Sequence, residues 1–293
     1  MKKIKTYIPL ITPFDKNLNI DYFSLEKIYF HIINLEYING IILFDSFSEY
    51  KTINLNDKID IINCILNNNK FNLNIILKIN NLYNYYDLVF EINQKIYKNI
   101  YYIILDYPKF YNTKYQKDII KNYNKLFKNY KYLFFYFTIK NRTNINENFI
   151  LNIKENNKNF LGIINKTNYI FKNYELIKNL DIIIYNDLLL FNNIFLNING
   201  IISPLFLLFF NYLYNDIILN INNNKFFLFN KTFYNLIKFI KILYKKIYPI
   251  SGIKFLLNHL NLCNLDIKYP ISNFQNINEY NQLITLFNKI INK

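Results

Sequence analysis

A (β/α)8 barrel, the TIM-barrel form of the α/β class, with a C-terminal helical extension is the fold this sequence predicts, and three observations predict it. Eight short apolar runs are dealt evenly along the first two-thirds of the chain. Most are continuous rather than alternating, the pattern of parallel strands buried on both faces. Between them lie longer segments with helical spacing, so that a strand–helix unit of roughly 30 residues recurs along the chain.

The runs are Lys5–Ile11, Asn39–Phe44, Leu73–Ile79, Tyr101–Leu105, Tyr132–Phe137, Phe160–Ile164, Asp181–Tyr185 and Gly200–Ser203. Helical spacing is clearest over Phe23–Glu36 and in the DKIDIINCILNN stretch that ends at Asn68. A helix from Leu205 to near Leu219 would close the barrel, and the polar Asn220–Asn224 segment makes a natural break after it. The barrel is therefore expected over residues 1–225 and a helical domain over 226–293. The latter carries the helical patterns Phe227–Lys246, Ser251–Leu262 and Ile277–Ile291, with no strand between them. Such barrels put their chemistry at the C-terminal ends of the strands, so the fold says where to look.

Composition narrows the function classes. The chain has 293 residues, with 28 Tyr, 28 Phe, no Ala, a single Val (Val89), a single Arg (Arg142) and no Trp. The favoured residues are those with A/T-rich codons, which points to an AT-rich genome such as that of a reduced bacterial symbiont. The formal charge of +15 belongs to the same bias. Lysine is scattered rather than clustered, and arginine, the better phosphate fork, is nearly absent, so no nucleic-acid partner is expected. No run reaches the roughly 18 apolar residues of a membrane span. The start, MKKIKTYIPLITPF, is broken by Pro9 and Pro13 and lacks a signal-peptide core. A soluble cytoplasmic protein with no membrane partner is the expectation. Cys64, Cys263, His31 and His259 have no metal-ligand spacing, so they are expected to be structural, and neither a metal nor a cofactor is expected.

The few prolines, glycines and polar residues near strand ends carry the chemistry. Thr12-Pro13-Phe14-Asp15 follows the first strand and Asp45-Ser46-Phe47-Ser48-Glu49-Tyr50-Lys51-Thr52-Ile53 the second. Pro108-Lys109-Phe110-Tyr111-Asn112 follows the fourth, and Tyr136-Phe137-Thr138-Ile139-Lys140-Asn141-Arg142-Thr143-Asn144 the fifth. In these segments the chain resembles the dihydrodipicolinate synthase family of pyruvate-dependent aldolases, which also contains N-acetylneuraminate lyase. The family patterns are T-P-x-D, G-T-T-G-E-S-x-T-L, P-Y-Y-N and Y-N-V-P-x-R-T-G. Both glycines of the second pattern are lost here, and the third and fourth match with one extra residue each. The resemblance spans nearly the whole length.

The resemblance implies a lyase in which a sixth-strand lysine forms a Schiff base with pyruvate, whose enamine attacks aspartate semialdehyde. It implies Tyr136, Ser46 and Tyr111 as a proton relay, Tyr111 being lent by a neighbouring subunit of a dimer of dimers. It implies Arg142 as the clamp on the semialdehyde carboxylate, the use for which a guanidinium fork is suited. Ser46 would also hold the pyruvate carboxylate, and Ile202 would line the pyruvate pocket with backbone. Asn186-Asp187 echoes a pair after the seventh strand and is expected to be structural. The family's sixth strand reads G-I-K-E, whereas here Gly162-Ile163 is followed by Ile164-Asn165-Lys166. In strict register the lysine position holds Ile164. Lys166, two residues on, faces the same side of a strand about 6.6 Å nearer the mouth, or takes the place through a two-residue insertion. Lys166 is the candidate nucleophile. The alternatives are a catalytically impaired barrel of the same family, an aldolase of the N-acetylneuraminate lyase type and, more weakly, a basic nucleic-acid-binding protein.

Overall fold

Eight parallel strands pair in chain order, β1 with β2 through to β8, and β8 closes back onto β1. The computed structural model describes residues 4–69, 73–79, 100–106, 116–130, 133–139, 147–167, 178–185, 187, 198–211, 213, 231–268 and 277–291. The strands are β1 (Lys5–Pro9), β2 (Gly40–Leu43), β3 (Asn74–Ile79), β4 (Ile100–Asp106), β5 (Phe134–Ile139), β6 (Phe160–Asn165), β7 (Asp181–Ile184) and β8 (Gly200–Ile202). All eight expected runs are strands, displaced at their ends by two residues or fewer.

The described helices are α1 (Tyr22–Ile33), α2 (Leu55–Asn68), α3 (Gln116–Asn129), α4 (Glu147–Asn156), α5 (Phe206–Asn211), α6 (Lys231–Lys245), α7 (Pro249–His259) and α8 (Ile277–Ile291). Local chemistry sets their ends. Asp21 caps α1 by accepting from Ser24 N at 3.0 Å, and Asn54 caps α2 by accepting from Asp57 N at 2.8 Å. Pro249 opens α7, where its missing N–H costs nothing. In α1 the buried Leu25, Ile28, Tyr29 and Ile32 form one helical stripe against the barrel.

Aromatic packing fixes which strand residues point outward. Phe127 of α3 lies 4.5 Å from Phe135 and 6.0 Å from Phe160, centroid to centroid, and Tyr123 lies 4.8 Å from Phe137. Phe135 and Phe137 of β5 thus face the helix layer. By alternation Tyr136 and Thr138 face the barrel interior. Gly162 is an interior position with no room: a Cβ there would lie 2.0 Å from the Asp181 carbonyl oxygen.

The C-terminal helices pack on the barrel through α5. Phe209 lies 4.9 Å from Phe239 of α6 and 5.3 Å from Phe287 of α8. The expected boundary at residues 225 and 226 lies outside the described residues. His31 Nε2 lies 2.9 Å from the Leu207 carbonyl oxygen, and His259 packs its ring edge on Phe287. Cys64 and Cys263 are free thiols. Among the described residues no helix is long and apolar enough to cross a membrane.

Candidate active site

The ends of β2, β3, β6 and β7 bring four charged or phenolic side chains to one point in the barrel mouth. Phe44, just after β2, has a φ of 63°, and this turn redirects the chain so that Asp45 enters the interior with none of its surface exposed. Lys78, the fifth residue of β3, places its Nζ 2.7 Å from Asp45 Oδ1. Lys166 Nζ lies 3.4 Å from the same oxygen. The Tyr185 hydroxyl donates a short hydrogen bond to the other oxygen, Oδ2. Asp106, the last residue of β4, lies 3.5 Å from Lys78 Nζ.

Backbone hydrogen bonds explain why Lys166 and Tyr185 point inward. Lys166 N donates to Ile139 O at 3.0 Å, which carries the β5–β6 ladder one residue past the end of β6. Asn165 Oδ1 accepts from both the backbone N and the hydroxyl of Thr167, each at 2.9 Å, and so holds the turn that follows. Lys166 therefore keeps the face of Gly162 and Ile164. Tyr185 N donates to Asn165 O at 2.9 Å and extends β7 in the same way. The result is Lys166 Nζ seated 3.5 Å from the centroid of the Tyr185 ring.

The electrostatics follow from this geometry. Burial alone would push the Asp45 carboxyl upward, but Lys166 and Lys78, with hydrogen bonds from Lys78 and Tyr185, hold it well below the usual carboxylate range. Burial would likewise weaken the Lys78 ammonium, but Asp45 and then Asp106 keep it above its ordinary value. Lys78 is 3% exposed and Lys166 17%. The amine that faces the mouth is that of Lys166, and Lys78 is the buried counter-cation of Asp45.

Ser46, in a short 3-10 turn over Ser46–Ser48, donates to Asp45 Oδ2 at 2.9 Å and also interacts with the Tyr185 hydroxyl. It is exposed at the mouth. Ile202 ends β8, buried on the interior face it shares with Gly200. Ile164 lies inside the barrel, 1% exposed, one layer below Lys166.

Tyr136 does not join the cluster. The expected fifth strand ends at Phe137, with Tyr136 at its mouth, but β5 runs to Ile139 because Thr138 and Ile139 pair on with Ile164 and Asn165. Tyr136 is left in mid-strand. Its hydroxyl reaches Asp181 Oδ2, 3.3 Å away, at the first residue of β7 and hence toward the opposite end of the barrel. Burial, with Tyr7 and Asp181 nearby, pushes its phenol far above the ordinary value. The interior residue at the end of β5 is Thr138, buried, with a hydroxyl that has no hydrogen-bond partner among the described residues. Tyr111 and Arg142 lie outside the described residues.

Sequence reasoning missed Asp45, Lys78, Asp106 and Tyr185 as site residues. A signal was available for Lys78, a lone charge inside the apolar run Asn74–Ile79. A charge in a strand buried on both faces needs a partner, and Asp45, just past the end of the preceding strand, could have been sought.

A second buried network sits behind the first. Asp187 accepts short hydrogen bonds from the Ser203 and Tyr244 hydroxyls, tying β8 to α6. Burial raises its carboxyl to about 6, partly offset by those two hydrogen bonds. A raised folded-state value means that the folded chain holds the proton more tightly than the unfolded one. The stability this contributes is full below the unfolded value near 4 and is lost as pH rises through about 6. Thermal unfolding should therefore show the protein gaining stability from pH 7 to pH 5, by about 1–2 kcal/mol. Asp187→Asn should abolish that gain and leave the Ser203 and Tyr244 partners bonded.

With this geometry in hand, the chain can be set beside known proteins. No protein-family model matches it. A 4-hydroxy-tetrahydrodipicolinate synthase of Karelsulcia muelleri (strain GWSS) is 30% identical over 274 residues, 90% of each chain. The chain belongs to the dihydrodipicolinate synthase family. Solved structures of that family share its fold. N-acetylneuraminate lyase from Aliivibrio salmonicida superposes with a TM-score of 0.82 at 16% identity, over 99% of this chain and 98% of that one. Dihydrodipicolinate synthase from Aquifex aeolicus gives 0.81 at 16% identity, over 98% and 97%. The 4-hydroxy-tetrahydrodipicolinate synthase of Methylacidiphilum fumariolicum SolV gives 0.78 at 18%, over 100% and 97%. At these identities the likeness establishes the (β/α)8 barrel and its C-terminal helices. The family is one of lyases, both dihydrodipicolinate synthases and N-acetylneuraminate lyases. Asp45 stands where the family's second-strand pattern has its first glycine.

Proposed function

We propose that this protein condenses pyruvate with L-aspartate 4-semialdehyde through a Schiff base on Lys166, giving 4-hydroxy-tetrahydrodipicolinate for lysine and diaminopimelate synthesis. The observation that carries the reading is the Lys166 amine in the barrel mouth, 3.4 Å from a buried carboxylate and half-covered by a tyrosine ring. A Schiff-base lysine needs access to a ketone, a positioned proton acceptor and a counter-ion for the iminium. Asp45 supplies the counter-ion and bridges the amine to the Tyr185 hydroxyl. Ser46, exposed beside it, supplies a hydroxyl for the pyruvate carboxylate. Arg142 is assigned the semialdehyde carboxylate and Tyr111 a subunit-crossing hydroxyl, both from the family pattern. The assembly that goes with such a tyrosine is a homotetramer built as a dimer of dimers, in the cytoplasm.

Borohydride trapping tests the reading. Incubation with pyruvate and borohydride, then digestion and mass spectrometry, should put a reduced pyruvyl adduct on the peptide carrying Lys166. A folded protein that traps no adduct is a catalytically impaired barrel, and an adduct on Lys78 instead would reverse the roles of the two lysines. Aspartate semialdehyde should then consume the enamine, whereas N-acetylmannosamine should not.

A further inference from the structure

The Schiff-base reading leaves a gap: the tyrosine expected at the end of β5 is not there. Tyr136 holds its hydroxyl on Asp181, in the lower half of the barrel. Thr138 is the interior residue at that strand end, and an alkyl hydroxyl is a much weaker acid than a phenol, whose ordinary pKa is about 10. The chemistry still needs a group that delivers and removes protons beside the amine.

The geometry points to Tyr185, at the end of β7, as the proton-transfer tyrosine of this site, coupled to the Lys166 amine through the Asp45 carboxylate. This inference rests on the Lys166 reading above. Three observations carry it. One oxygen of Asp45 faces Lys166 Nζ at 3.4 Å, and the other accepts the Tyr185 hydroxyl, so a single carboxylate spans nitrogen and phenol. The Tyr185 ring lies 3.5 Å from Lys166 Nζ, so a carbon bonded to that nitrogen is built over the ring. Ser46 interacts with both Asp45 and Tyr185 and is exposed, which opens the network to the mouth. Lys78, at 2.7 Å, keeps Asp45 ionised, so that it bridges nitrogen and phenol as an anion. Burial and the Asp45 charge keep the phenol protonated at neutral pH.

The proton inventory closes. The neutral Lys166 amine adds to the ketone carbon of pyruvate: a C–N bond forms and the carbonyl π pair moves to oxygen. The proton made surplus on nitrogen passes across the Asp45 carboxylate to Tyr185 as Tyr185 gives its own proton to the carbinolamine oxygen. Tyr185 then protonates the carbinolamine hydroxyl, water leaves with the C–O pair, and the iminium remains beside the Asp45 carboxylate with Tyr185 as phenolate. A methyl C–H bond then breaks, its electron pair forms the enamine C=C as the iminium π pair returns to nitrogen, and its proton enters the same network. When the enamine carbon bonds to the aldehyde, that proton passes to the new alkoxide. Release of the product from the second iminium frees Lys166 as the neutral amine and returns one proton to Tyr185, so the network ends as it began.

The half-reaction isolates this step. Pyruvate methyl-hydrogen exchange in D2O, followed by proton NMR, needs no second substrate. Borohydride trapping is run in parallel on the full chain. The wild type should trap on Lys166 and exchange the methyl group. Tyr185→Phe should reach the same adduct yield after long incubation, with exchange slowed by about 10²–10⁴-fold. Tyr136→Phe should exchange as the wild type does. A second variant keeps the idea exposed if Tyr185→Phe does not fold: 3,5-difluorotyrosine placed at position 185 alone preserves the hydrogen bond but makes the phenol more acidic. It should move the alkaline limb of the exchange profile to lower pH, which a merely structural phenol would not do. Wild-type exchange in Tyr185→Phe, an unmoved profile in the fluorinated protein, or loss of exchange in Tyr136→Phe would each overturn the assignment of Tyr185. Failure of the wild type itself to trap pyruvate overturns the Lys166 reading, a result visible before any Tyr185 variant is made.

Discussion

Lys166→Met is expected to eliminate the pyruvate adduct and lower condensation by about 10³-fold or more, the scale of loss when a covalent nucleophile is removed. The fold should survive. Lys166 is partly exposed, and Asp45 keeps its shorter contact, the 2.7 Å ion pair with Lys78, as well as the Tyr185 hydroxyl. Lys78→Met is the informative contrast. Lys78 is buried, and its loss leaves Asp45 with only its longer lysine contact in the interior, a change on the order of 3–5 kcal/mol for a broken buried pair. That variant should be markedly less stable while its folded fraction still forms adduct on Lys166. Trapping yield per folded molecule, with melting temperature measured alongside, separates the two lysines. An adduct that survives Lys166→Met and disappears in Lys78→Met would make Lys78 the nucleophile.

Glu49→Ala is expected to give a large stability loss. Glu49 matches the glutamate of the family's second-strand pattern, and its work here is structural. It is 5% exposed and pairs with Lys254 Nζ of α7 at 2.6 Å, while its other oxygen accepts from Lys268 N at 2.9 Å. Lys254 has no exposed surface, and its remaining partners are the Asp266 carbonyl at 2.9 Å and the face of Phe14 at 4.4 Å. Without Glu49 a buried ammonium is left with a carbonyl and a ring. The cost of such an orphaned charge is on the order of 3–5 kcal/mol. For a chain of this size that corresponds to a fall in melting temperature of about 10 °C. Glu49→Ala combined with Lys254→Met should recover part of the loss, because the double variant buries no unpaired charge. If Glu49→Ala melts within about 1 °C of the wild type, the pair contributes nothing net to holding α7 against the loop after β2.

Much of the barrel was legible in the chain, for physical reasons. A strand covered on both faces must be apolar throughout, so each of the eight left an apolar run in the sequence. Ala is absent and Val occurs once, and a core of Ile, Leu and Phe serves in their place when pattern and volume are kept. Strand ends were less legible. Thr138 and Ile139 are good strand residues that the run Tyr132–Phe137 did not include, and the two-residue extension of β5 moved Tyr136 from the mouth to the interior. Lys166 was legible as a strand-end lysine through its spacing from Gly162, because a period of two decides the face of any strand residue. Tyr185 was not, as one of 28 tyrosines with no local pattern to distinguish it.

What the sequence by itself determined is the closed eight-stranded barrel, the helices that follow it and the end of the barrel at which ionisable groups gather, because periodicity and burial are local properties of the chain. What only the tertiary structure decided is which of those groups meet. Asp45 and Lys166 are 121 residues apart, and Asp45 and Tyr185 140. Their contact exists because barrel closure sets β2 across from β6 and β7, and because a left-handed turn at Phe44 swings one carboxylate into the buried interior. In that interior a carboxylate keeps its charge through the cations and hydroxyls that the other strands bring to it.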